Sequence, residues 1–187
     1  IIFHNIRLNM NFEQSIYPLT EFLSENGFSV TYREQHFISY SSKSTIITVA
    51  YAHLEYLYYT HAGLKEGTLV ELIPKVVNDV FQDDRFLRQS TLTIENLISF
   101  FKSSGKSIIT GDENIFMNLS DYTKRQSAEF TRQINHLFNI EQAGKAWKLK
   151  DYVSFIKYID LAEKDMLPES YFKKYKIAVD KTKRYKD

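Results

Sequence analysis

The chain has 187 residues, no Cys and a formal net charge of +1. That length buries about 70% of the unfolded surface without a metal or disulfide staple, and the missing thiols exclude disulfide frameworks, thiolate zinc sites and a Cys nucleophile. With 43% apolar and 25% charged residues the chain is globular, and its near-zero charge gives no whole-molecule field towards nucleic acid or membrane.

Six Gly and three Pro are too few for a linker or a glycine-rich phosphate cradle. No run reaches the ~20 apolar residues that span a bilayer, and a Cys-free chain is the simple case for a cytoplasmic protein. Residues 1–10 read as a short strand, or as a few residues ahead of Met10. Their apolar part is broken by His4, Asn5 and Arg7, so no signal peptide is expected.

From Phe12 to Asn26 the apolar residues Phe12, Ile16, Leu19, Phe22 and Leu23 fall at helical spacing, with Gly27 as the stop. Pro18 sits awkwardly inside that pattern. Alternating, β-branched and aromatic runs follow: Phe28 to Tyr32, Phe37 to Tyr40, Thr45 to Tyr51 and Leu54 to Tyr59. The breaks between them are short, at Glu34-Gln35, Ser41–Ser44 and Ala52-His53. Short breaks predict hairpins, because parallel pairing needs crossovers of a dozen residues. Gly63 and Gly67 are expected to end the sheet.

A helix is then predicted from Ile73 to Phe81, just before the polar break Asp83-Asp84-Arg85. Another is predicted over Ile94, Leu97, Ile98, Phe100 and Phe101, capped by Ser90 to Thr93 and stopped at Ser103–Gly105. Residues 106–120 read as a loop with a helical turn. A long helix capped by Ser120 follows, with Phe130, Ile134, Leu137, Phe138, Ala143, Ala146 and Trp147 along one heptad-like stripe. Pro168 starts a last helix. The fold class is α+β: an N-terminal helix plus a three- or four-stranded antiparallel meander, then a mostly helical C-terminal half. One domain is expected over 1–187, with a helix-and-sheet part at 10–67 and a helical part at 68–187.

Few residues suggest chemistry. His4, His36, His53, His61 and His136 lack the spacing of a helical zinc site; His53 and His61 flank one predicted strand and could approach Glu55 or Glu66, and exposed turn positions are their ordinary explanation. Asp83-Asp84, Asp112-Glu113 and the carboxylates of 160–169 read as turn and helix-surface charges. No catalytic residue, metal ligand or cofactor motif emerges. The remaining candidates for an interaction surface are Tyr51, Tyr56, Tyr58 and Tyr59, since Tyr is favoured at interfaces, together with Asp83 and Asp84. The tail from Lys173 holds seven basic and two acidic residues, net +5 against −4 for the rest. Lys173, Lys174, Lys181, Lys183 and Arg184 could therefore meet phosphates.

Between Ala146 and Pro168, the residues Trp147, Leu149, Asp151, Tyr152, Ile156, Tyr158, Ala162 and Pro168 resemble the helical hairpin of a tetratricopeptide repeat. Lys150 stands where that repeat places Gly, and Phe155 where it places a small residue. No second copy follows at a period near 34 residues, so the resemblance implies one hairpin and no peptide-binding array. Trp147 is expected in the core it closes. The overall layout resembles that of small bacterial proteins, some of which are immunity proteins that block a toxin by covering its active site. The stretches Glu66–Glu71, Asp79–Asp84 and Asp112-Glu113 would suit a basic toxin. The resulting expectation is a non-enzymatic cytoplasmic protein that binds another protein, of immunity or inhibitor type. The alternatives are nucleic-acid binding through the basic C-terminal helix, and an enzyme whose site is assembled from distant residues.

Overall fold

The computed structural model describes residues 12–184 of the chain, with the side chain of Arg184 excepted. The reading of residues 1–10 lies outside them. The fold is α+β and forms two compact units, one ending at Thr123 and one starting at Lys124.

The first unit opens with helix α1 (Phe12–Glu25), which buries Phe12, Ile16, Leu19 and Leu23 at every third or fourth position. Pro18 is inside α1, on its exposed face. Having no N–H, it leaves the Gln14 carbonyl without its helical donor. The helix ends in paired capping bonds, Gly27 N–H to the Ser24 carbonyl at 3.1 Å and Phe28 N–H to the Leu23 carbonyl at 3.0 Å. Gly27 takes the left-handed conformation this motif needs, with φ +82°.

Five strands follow in sequence order: β1 (Ser29–Glu34), β2 (Phe37–Ser41), β3 (Thr45–Ala52), β4 (Leu57–Leu64) and β5 (Val70–Glu71). Every neighbouring pair is antiparallel, so the predicted meander gains a fifth, two-residue strand. Ile38 and Tyr40 of β2, Ile47, Val49 and Tyr51 of β3 and Ala62 of β4 point to the core, and the alternate positions face outwards. The edge strand β1 is exposed along its length, and an irregularity between Val30 and Tyr32 breaks its pairing, which discourages edge-to-edge addition.

Two boundaries differ from expectation. The last long strand begins at Leu57, because Tyr56 takes φ +57° and closes a turn at residues 53–56. Gly63 lies within β4 and does not end the sheet. A Cβ there would meet the Thr68 carbonyl oxygen at 2.6 Å, so the glycine admits the returning chain.

Helix α2 (Pro74–Phe81) has Pro74 in its first turn, and α3 (Ile94–Lys102) is capped by Thr93, whose hydroxyl accepts the Asn96 N–H at 3.3 Å. Residues 106–120 are more helical than expected. Helix α4 (Lys106–Thr110) is followed by α5 (Glu113–Lys148), 36 residues long and begun by the Asp112 carboxylate accepting the Asn114 N–H. One hydrophobic core joins α1, the sheet, α2, α3, α4 and Phe116, Leu119 and Tyr122 of α5, so the first core does not stop at Gly67.

The second unit is built from the rest of α5, α6 (Tyr152–Leu161) and α7 (Glu169–Arg184). The hairpin is present as expected. Asp151 caps α6 by accepting the Ser154 N–H at 3.0 Å, and Lys150 occupies the left-handed position with φ +59° where the repeat uses Gly. Phe155, fully buried, packs on Trp147 at 5.0 Å and Tyr171 at 6.3 Å. The small residues this requires, Ala143 and Ala146, come from α5. Trp147 is half-buried at the edge of this core, with the Lys174 ammonium over its ring.

His136 is buried in mid-helix. Its Nδ1 accepts the Glu163 N–H at 3.2 Å, while Asn139 donates to the Leu161 carbonyl at 3.1 Å. Together they satisfy backbone groups where α6 ends. The heptad-like stripe is in fact two. Ala143, Ala146 and Trp147 face this core, whereas Phe130, Ile134, Leu137 and Phe138 lie nearly opposite at 3.6 residues per turn and are 49–65% exposed.

Candidate protein-binding groove

In the first unit a groove of about 860 Å³ lies where α1, the β3–β4 turn and the start of α3 meet. Gln14, Ser15 and Pro18 supply one wall, Tyr56 to Tyr58 a second, and Arg88 to Asn96 a third. Pro18, Tyr56, Leu57, Tyr58 and Ile94 give it apolar surface, and the other lining residues are polar or charged. Arg88 and Glu95, both exposed, place both signs of charge in its lining.

The turn that carries Tyr56 is held by a run of rings. Tyr51 stacks on Phe12 at 6.2 Å and meets Tyr58 at 5.1 Å, His36 at 6.1 Å and His53 at 6.4 Å. His53 then lies 6.0 Å from Tyr56. Tyr56 itself is 58% exposed and left-handed, a conformation unfavourable for a bulky residue. Strained residues of this kind persist where the surroundings over-determine them, and they cluster at functional positions.

Tyr58 is half-buried. Burial raises its phenol above the ordinary range, the Ser15 hydroxyl partly offsets this, and Tyr51 and the Glu95 carboxylate push it further up. Tyr59 points to the outer sheet face and donates to Glu55 at 2.6 Å, which holds its phenol protonated as well. Each phenol is therefore a hydrogen-bond donor at neutral pH.

The six interaction candidates thus separate. Tyr56 and Tyr58 line one groove, and Tyr59 sits on the opposite sheet face. Tyr51 is buried and serves as the packing centre beneath the turn. Asp83 is buried too. It takes the Arg85 guanidinium at 2.7 and 2.5 Å and the Ser104 hydroxyl at 2.5 Å, and these bonds hold its carboxyl down at about pKa 2. Only Asp84 of that pair is exposed, in a short 3-10 turn. The sequence did not single out Gln14, Arg88 or Glu95. The sign was Pro18 within a helix, which marks a place where a carbonyl is left open.

The basic candidates fall on α7. Lys173 pairs with Glu169 at 2.9 Å, and Lys174 lies over Tyr171 and Trp147. Lys181 and Lys183 are exposed, and Arg184 ends the described helix. Among the described residues no group of three His, Asp or Glu could hold a metal ion, and no helix is long and apolar enough to cross a membrane. His61, opposite Thr48 and Glu71 in the sheet, belongs to a strand and not to a turn. No family model, curated protein or solved structure matches the chain.

Proposed function

We propose that this chain is a non-enzymatic cytoplasmic protein that receives a partner protein in the groove beside Tyr56 and Tyr58. On this reading it acts as an immunity or inhibitor protein that covers a site on its partner. The observation that carries the reading is the groove itself: two tyrosines, one on a strained turn, beside Pro18, Leu57 and Ile94, with the exposed Arg88 and Glu95 in the same lining. Tyr offers large rigid contact area with a polar tip at little entropic cost. The partner supplies an apolar anchor flanked by groups that answer the phenols and the Arg88 and Glu95 charges. The test is capture of the native partner by the full chain and by Tyr56→Asp and Arg88→Glu variants of unchanged circular dichroism. One stoichiometric protein, lost in both variants, supports the reading. Equal capture by all three chains sinks it.

A second reading is nucleic-acid binding. Residues from Lys124 onwards hold fifteen basic and nine acidic groups, net +6, and Lys173, Lys176 and Lys183 share the outer face of α7. It predicts binding to a labelled oligonucleotide that falls steeply with salt and disappears when the chain is cut after Val179.

A further inference from the structure

His36 stands in the turn between β1 and β2, and His53 in the exposed turn between β3 and β4. The backbone ties the two places together, since the Tyr51 N–H donates to the His36 carbonyl at 2.8 Å. The two imidazoles are neighbours, with centroids 6.0 Å apart and planes 41° apart. The His36 Nδ1 is buried and has no hydrogen-bond partner among the described residues. A buried polar atom is normally paired, and a bound ion is one of the few things that satisfy one left over. We propose that His36 and His53 together bind a divalent transition-metal ion, Zn²⁺ foremost.

The separation of the rings fits such an ion. A ring nitrogen lies about 1.1 Å from its centroid and about 2.1 Å from a bound zinc, so two ligating imidazoles have centroids roughly 5.2 Å apart at a tetrahedral angle and roughly 6.4 Å apart when opposed. The observed 6.0 Å falls inside that range. Neutral imidazole suits zinc, copper and nickel, whereas Mg²⁺ and Ca²⁺ take oxygen ligands. Among the described residues no third His, Asp or Glu joins the pair. Water therefore completes the coordination, and the site is exchangeable and weaker than a four-ligand structural one.

Aromatic rings surround the pair. Phe12 meets His36 edge-on at 6.4 Å, Tyr51 contacts His36 at 6.1 Å and His53 at 6.4 Å, and Tyr56 lies 6.0 Å from His53. Such a shell limits solvent access and lowers the local dielectric, which strengthens the bond to the metal. His53 is exposed, so the ion enters from the side of the β3–β4 turn. Once bound, it ties the turn that carries Tyr56 to the β1–β2 turn. The site stands whatever the groove receives.

The experiment is calorimetric titration of the full chain with zinc chloride. One ion per chain is expected, with Cu²⁺ bound more tightly than Zn²⁺ and Mg²⁺ not bound. His36→Gln and His53→Gln each lower zinc affinity by more than about 10-fold with circular dichroism unchanged, and His61→Gln keeps it. Metal and protons compete for the same nitrogens, so affinity falls as pH is lowered from about 7.5 to about 5.5. On the unaltered chain, zinc shifts the ring-nitrogen resonances of His36 and His53 and leaves those of His136 in place, a reading that needs no variant to fold. Binding that survives in both variants, an equal loss in His61→Gln, or unmoved resonances of His36 and His53 would overturn the proposal. So would a titration with no saturable binding.

Discussion

Helices α1 and α5 end in the same hydrogen-bond pattern with different residues at the left-handed position, which sets up a paired test. At the end of α5, Lys150 N–H bonds the Trp147 carbonyl at 3.1 Å and Asp151 N–H bonds the Ala146 carbonyl at 2.9 Å. The same two bonds at the end of α1 turn on Gly27. Left-handed backbone costs an L-residue about 1–2 kcal/mol. Glycine recovers this but loses about 0.5–1 kcal/mol more chain entropy on folding. Lys150→Gly is therefore expected to stabilise the second unit by about 0.5–1 kcal/mol. For a unit of this size that is a Tm rise of roughly 2–6 °C.

Conversely, a Cβ at Gly27 meets nothing within 4 Å, so Gly27→Ala suffers only the backbone term and loses about 1 kcal/mol. Trp147, the sole Trp, lies three residues from Lys150, so its fluorescence in a urea titration reads that unit. Far-ultraviolet dichroism follows the other substitution. A lowered or unchanged midpoint for Lys150→Gly would refute the reasoning. So would a Gly27→Ala chain as stable as the parent.

Other outcomes follow from the same structure. Tyr56→Gly relaxes a left-handed turn and raises the melting temperature slightly, yet it weakens partner capture; a loss of stability would remove the case for strain at the tip. Phe155→Ala empties a fully buried site between Trp147 and Tyr171 and costs about 3–5 kcal/mol by urea unfolding, well above Trp147→Ala, whose ring is only half-buried. Asp83→Asn removes the charge and one of the two oxygens that accept from the Arg85 guanidinium. Because the carboxyl is depressed in the folded state, its contribution is present above the unfolded value near 3.9 and lost as pH falls through about 2. Half-exposure of Arg85 screens the pair, so about 1–2 kcal/mol is expected at pH 7 and almost none at pH 2. A pH-independent difference in chemical denaturation would show that the pair contributes nothing.

How much was legible depended on whether a local rule or a distant neighbour decided each element. The meander followed from alternation and short breaks, and α3 from the Thr93 cap. The start of β4 did not, since alternation continues through Leu54 to Tyr59 and only the left-handed turn at Tyr56 interrupts it. The α5 stripe was read as one run although Phe138 and Ala143, five residues apart, lie about 140° from each other round a helix, so the run changes face between them. The first group is exposed and the second faces the core. His136 gave no sign of burial, as its partner is a backbone N–H 27 residues away. Of the groove, the Tyr residues of the turn were visible by type; Gln14, Arg88 and Glu95 reach it only through packing of α1 and α3 around the hairpin.

The most direct test of the groove is photo-cross-linking from within it. A photoreactive benzoylphenylalanine in place of Tyr56 keeps the aromatic ring at the turn, and the same residue in place of Leu149, 80% exposed on the second unit, is the control. In native extract, position 56 is predicted to cross-link one protein in good yield and position 149 none. Identical labelling from both positions, or labelling of nucleic acid alone, would contradict the account.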